Sequence, residues 1–151
     1  MAVQGPFTIF DAAKLKVLNG SGTPINLPAD TFKAVLCTSA QALAPSFTGG
    51  SGAARYADLT AELPTANGYT VGGITLTSVT LTQTGPVVTW DADDLTWTLS
   101  GPITFKYLVI YDNTLGTKDL VAFCDFDTSG GSVTALAGPL VVTVNGIETL
   151  Q

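Results

Sequence analysis

The sequence contains no histidine. That removes the commonest general base, the nucleophile systems in which a serine or cysteine leans on an imidazole, and metal sites with imidazole ligands. Charge is scarce as well: charged residues make up 12% of the 151, about half the usual share. Only six are basic (Lys14, Lys16, Lys33, Arg55, Lys106 and Lys118), and they are scattered. With a net charge of −6 and no basic stripe to follow a phosphate backbone, nucleic acid is not expected as a partner. The two cysteines, Cys37 and Cys124, lie in the strand-like runs AVLCT and AFCDF. Two cannot build a structural zinc site alone, and they read as buried free thiols rather than a disulfide.

Other absences narrow the field further. No apolar run approaches the about 20 residues of a membrane helix. The N-terminal MAVQGPFTIFDAAKLK shows neither the charged leader nor the apolar stretch of a secretory signal. Synthesis in a cytoplasm and no membrane partner are therefore expected. Gly49-Gly50-Ser51-Gly52 is glycine-rich, but no Lys-Ser/Thr follows it and no strand-to-helix context surrounds it, so it is not a phosphate cradle. No cofactor is expected, and the chain does not read as an enzyme.

What is present is a strand pattern. Hydrophobic residues make up 46%, and one domain spanning 1–151 would bury about 70% of its extended-chain surface. The ordering stretch is Trp90–Asp112. Leu95, Trp97 and Leu99 alternate with Thr96 and Thr98, the period of a half-buried strand. Ile103–Tyr111 is apolar on both faces and so belongs at the centre, covered on both sides. From Tyr69 onward, ITLTSVTLTQT, VVTWDA, LTWTLS, ITFKYLVIYD, LVAFCDF, SVTALA and PLVVTVN are separated by Gly, Pro, Asn or Asp. That spacing predicts an all-β sandwich or barrel. In the first run the apolar set changes face between Leu76 and Val79, predicting a bend near Ser78 where a strand crosses between sheets.

Upstream, Ile25-Asn26-Leu27 and TFKAVLCTS at 31–39 have strand bias. TIFDAAKLKVL at 8–18 predicts one short helix, about 9–18. Thr8 would be its cap, Asp11 would sit at its positive end and Asn19-Gly20 would stop it. Its apolar face would combine Phe7, Ile9 or Phe10 with Leu15 and Leu18. Residues 40–54 read as an exposed loop awaiting a partner. RYADLTAEL at 55–63 predicts a turn or two of helix, and Asn67-Gly68 a tight turn.

Three functional readings of side chains are open. Asp91-Ala92-Asp93-Asp94 offers oxygen ligands in a turn, but it lacks the glycine and the distal glutamate of a calcium loop. A structural turn is the preferred reading, with no metal. A glycosidase needs two carboxylates flanking a cleft, and no pair stands out from Glu62, Glu148 and the aspartates. Trp90 and Trp97 could stack on a sugar, as in a carbohydrate-binding module, yet their strand alternation favours core packing. So weakly charged a surface suits lasting contact with other protein.

Taken together, several of these segments carry a resemblance. The helical AK-containing start, Asp30-Thr31-Phe32-Lys33, Tyr56-Ala57-Asp58-Leu59-Thr60, Gly68-Tyr69-Thr70-Val71-Gly72-Gly73, Asp91–Asp94 with Trp97, and Phe105–Asp112 occur in that order. Over roughly residues 7–128 the chain resembles a family of small bacteriophage virion proteins, of the type of capsid cement (decoration) proteins. The resemblance implies a jelly-roll β-sandwich on the exterior of the capsid. It also implies the major capsid protein as partner, self-association as a dimer or trimer on the shell, and no catalytic residues. Tail, head-fibre or baseplate modules are the alternative. The N-terminal arm and helix (about 1–20) and the loop 40–54 are the expected contact parts, with Phe7, Phe10, Pro45 and Phe47 as candidate partner-contact residues, because neither segment has the pattern of an independently packed element.

Overall fold

In the computed structural model, which describes residues 2–19, 23–49 and 53–150, the expected central run is indeed central. It is not one strand, however. It breaks at Lys106 into β7 (Ile103–Phe105) and β8 (Tyr107–Asp112). All six residues of β8 are buried. This strand lies between β2 (Phe32–Cys37) and β9 (Leu120–Asp125), antiparallel to both. The sheet is completed by β1 (Phe7–Ile9) outside β9 and β3 (Ile74–Thr75) outside β2, giving the order β1-β9-β8-β2-β3.

The remaining strands form three smaller antiparallel ladders. β4 (Thr80–Thr84), β5 (Val87–Asp91) and β12 (Glu148–Leu150) make a three-stranded sheet in the order β12-β5-β4. β6 (Leu95–Leu99) pairs with β11 (Gly138–Val142), and β7 with β10 (Val133–Ala135). One hydrophobic cluster takes in buried residues of the large sheet and of the smaller ladders. Phe32 of β2 meets Trp90 of β5 edge-on at 5.0 Å, and the Trp90 indole N–H donates to the Leu27 carbonyl at 3.2 Å. The fold is thus all-β with one short helix, as expected. Its second layer is divided into ladders of two, two and three strands.

Two of the crossings between sheets have a visible cause. At Ser78 the chain leaves the large sheet for the β4–β5 ladder, and Ser78 has φ 51. The Asp93 carboxylate fixes this bend by accepting from the Ser78 hydroxyl (2.6 Å) and the Thr77 hydroxyl (3.0 Å). At Lys106 the backbone N–H turns to the Cys37 carbonyl at 2.8 Å. The buried ammonium donates to the Asp127 carbonyl at 2.6 Å and pairs with Asp125 at 3.2 Å. The tight turn expected at Asn67-Gly68 is present, both residues having positive φ, with Ala66 and Tyr69 bonded to each other across it.

Several upstream expectations need correction. The helix, α1, runs Asp11–Asn19, and Thr8 is in β1 rather than capping it. The Phe10 carbonyl accepts the first helical bonds from Ala13 and Lys14, while its own N–H is held by Val121. That anchor turns Ala13 and Val17 inward and leaves Leu15 and Leu18 outside, 64% and 77% exposed. Ile25-Asn26-Leu27 is not a strand. Asp30 accepts from the Asn26 N–H, and the Asn26 carbonyl accepts from Ala29 and Asp30, closing a turn over Pro28 with Ile25 and Leu27 buried. In 55–63 the helical content is a single 3-10 turn, Tyr56–Asp58.

Lys106 therefore holds the point where one strand changes sheets. Replacing it with alanine would leave Asp125 and the Asp127 carbonyl without their cation. The Lys106→Ala protein should lose about 2–4 kcal/mol of stability, read as a lower midpoint in urea denaturation with the slope unchanged.

Candidate protein-contact surface

Phe10, Pro45 and Phe47 are brought close together while Phe7 lies on β1 opposite Cys124, and not all four face outward. Phe10 is fully buried, its ring 5.0 Å from Phe123 and 6.2 Å from Phe47. It belongs to the core because β1 delivers it beneath the start of α1. Phe7 and Phe47 are half-buried, and Pro45 is exposed, its carbonyl accepting from the Asp11 N–H at 2.9 Å. The loop 40–54, whose residues 50–52 lie outside the described residues, is tied down on either side of Pro45. The buried Gln41 side chain accepts from the Thr60 and Ala61 N–H groups, and Ala54 is buried.

The outward apolar groups lie beside this region. Leu15 and Leu18 stand on the outer side of α1, and Leu81 of β4 is 40% exposed. Leu18 and Leu81 rim a groove of about 120 Å³ whose lining also includes Val17, Leu27, Val88 and Trp90. A second cleft of about 410 Å³ is more polar and runs between residues 4–7 and 143–147. Among the described residues the exposed large hydrophobics are all valine or leucine. Trp90 and Trp97 are buried, as their alternation predicted. Sequence reasoning missed Leu15 and Leu18 as surface groups, since their spacing fits an inward face as well as an outward one.

The carboxylates of the acidic cluster all have partners within the chain. Asp91 accepts from the Ala92 and Gly146 N–H groups, Asp94 from the Val144 N–H, and Asp93 from the Ser78 bend. These are the bonds of turns and crossings. Among the described residues no three His, Cys, Asp or Glu side chains group so as to hold a metal ion. No described helix is long and apolar enough to cross a membrane. Cys37 and Cys124 are free and buried. Burial, with Glu62 nearby, pushes the Cys37 thiol up to about 12, and burial pushes Cys124 up to about 11. Neither is a ready nucleophile.

Glu62 gathers a cluster of phenols. It accepts from Tyr56 at 2.5 Å, Tyr69 at 2.7 Å and the Gly72 N–H at 2.7 Å. Tyr111 stacks on Tyr56 at 4.5 Å and donates to the Gly72 carbonyl. Burial, reinforced by the Glu62 charge, holds all three phenols above their ordinary range. The donors and the acceptor satisfy one another, and neither cleft is lined by them. The cluster binds segment 56–72 to β2 and β8.

No family model, no curated protein and no solved structure matches the chain.

Asp112, at the end of β8, gives a pH dependence. It is fully buried and accepts from the Thr114 and Leu115 N–H groups. Burial raises its pKa to about 6, and the neighbouring Asp30 carboxyl adds to the rise. The folded chain therefore holds this proton more tightly than the unfolded one. The contribution is fully present below about pH 4 and is lost as pH rises through about 6, which lowers stability by about 3 kcal/mol. Asp112→Asn keeps the acceptor for the Thr114 and Leu115 N–H groups and cannot ionise. It should raise the melting temperature at pH 7 and flatten the fall between pH 4 and 6, as followed by thermal denaturation across that range.

Proposed function

We propose that this chain is a capsid cement protein of a bacteriophage: a non-enzymatic β-sandwich that binds the exterior of an assembled shell and stabilises the joints between capsomers. The resemblance over residues 7–128 supplies the partner, the major capsid protein. The observation that carries the reading is the aliphatic outer face of α1, where Leu15 and Leu18 stand exposed on a chain with few charges. Exposed aliphatic groups suit a protein partner. A carbohydrate-binding module would instead present aromatic rings outward for stacking, and both tryptophans here are buried.

Selectivity for the assembled state is part of the proposal. A protein that bound free capsid subunits as well as the shell would favour both equally and add nothing to shell stability. The recognised surface must therefore be completed by neighbouring capsomers. Pro45, bonded to the start of α1, and Phe47, packed on Phe10, would contribute at its margin, and Phe7 would contribute from the neighbouring cleft. Phe10 acts from below, by fixing the helix.

The test is co-sedimentation of the purified chain with expanded, empty shells and, separately, with isolated capsid subunits. Binding to shells with little binding to subunits is expected. The double variant Leu15→Glu/Leu18→Glu should keep its melting temperature, because both side chains are already exposed, and should bind shells about tenfold or more weakly. Equal binding to subunits and shells, or recovery with tail or fibre material instead, would overturn the proposal.

A further inference from the structure

We infer that the outer edge of β4 is a self-association surface, on which a second copy of this chain adds its own β4 antiparallel across a two-fold axis at Thr82. All five residues of β4, TLTQT, are exposed. The strand ends the order β12-β5-β4, so among the described residues one side of its backbone has no partner strand. Solitary proteins blunt such edges with lysine, proline, bulges or a covering segment. β4 has neither charge nor proline, and its five pairs with β5 run without a register shift.

The hydrogen-bond pattern shows which groups are free. The β4–β5 hairpin closes through Gly85-Pro86, with Gly85 at φ 60, a two-residue turn with glycine leading. Its closing pair is Thr84 with Val87. In such a hairpin the closing pair exchanges both backbone bonds, and bonded and non-bonded pairs then alternate. The backbone groups of Thr84, Thr82 and Thr80 therefore point to β5, and those of Leu81 and Gln83 point away from the sheet.

A two-fold axis at Thr82 sets Leu81 opposite Gln83 of the second copy, and Gln83 opposite its Leu81. The two copies then exchange four backbone hydrogen bonds through the groups left free. Thr82 faces its own counterpart as a non-bonded pair, and Thr80 faces Thr84. A second copy is favoured over an unrelated strand because of this symmetry. At a two-fold contact each residue meets a fixed counterpart from the same short sequence, and here those meetings are Thr with Thr and Leu with Gln, never like charge with like charge. The side chain of Leu81 lies on the Trp90 face of the sheet, at the rim of the groove bordered by Leu18. Across the axis the two Leu81 side chains are diagonal neighbours, so pairing covers an apolar group that is otherwise exposed.

Sedimentation velocity of the free chain, with no shell present, tests this independently of the capsid proposal. The native chain should show a concentration-dependent dimer. Thr82→Lys and Thr82→Glu each place like charges face to face at the axis and should weaken the dimer about tenfold or more. Their circular dichroism and melting temperature should be unchanged, since Thr82 is exposed. An equimolar mixture of the two variants should dimerise again, which a folding defect could not produce. A native chain that stays monomeric would overturn the inference, as would a dimer indifferent to either charge or a mixture that does not re-associate.

Discussion

Six consecutive residues, Tyr107–Asp112, are buried on both faces and paired along both edges, and most of the architecture follows from accommodating them. A strand so placed needs apolar cover above and below and a hydrogen-bonded neighbour on each side. The cover comes from the smaller ladders and α1. The harder demand falls at the two ends, where the chain must leave the sheet. Each end has a buried charged residue. Lys106 turns its backbone to Cys37 and its ammonium to Asp125 and the Asp127 carbonyl. Asp112 takes the two N–H groups of the turn that follows. An apolar residue at either place would leave exposed peptide groups or buried oxygens unpaired. The polar side chain is retained because the backbone geometry needs its hydrogen bonds.

The sequence made the centre legible because burial on both sides leaves an unambiguous mark, a run apolar at odd and even positions alike. The crossing at Ser78 was legible for a related reason, since a strand that changes sheets must also change the face on which its apolar residues fall. The break at Lys106 left no such mark. The residues on either side continue the same alternation, and a lysine in a strand reads equally as an outward-facing charge. Only the distant Asp125 and Asp127 make it an internal group. The orientation of α1 was obscure because Phe10, Ala13 and Val17 define one face while Leu15 and Leu18 suggest another. The choice between them was made outside the helix, by the bond from Phe10 to Val121. Strands of three residues, such as β1 and β12, are too short for a period to be seen.

Most of the proposed contact surface was illegible for the same reason. Composition implied that apolar groups would be left outside, but which ones depends on how α1 is rotated and on which edge of the β4–β5 ladder stays unpaired. The exposure of Pro45 was legible because a loop without a period reads as exposed. Phe10 was misjudged because a short strand can bury a residue in a segment whose pattern looks unstructured.

The net negative charge of the chain is a poor guide to its surface. Asp30, Asp58, Asp91, Asp93, Asp94 and Asp127 each accept from nearby N–H or hydroxyl groups and serve to close turns or crossings. The Ser129 hydroxyl holds the Asp127 carboxyl below its ordinary range, the direction expected where a hydrogen bond favours the charged form. Carboxylates used in this way pin loops instead of presenting a continuous field to a partner. With basic groups so few, recognition must then depend on shape, aliphatic contact and unpaired backbone. Those contacts are weakly screened by salt and poor at drawing a partner from a distance. They suit a protein that binds a densely repeated surface, where local concentration is high and a long residence matters more than a fast encounter.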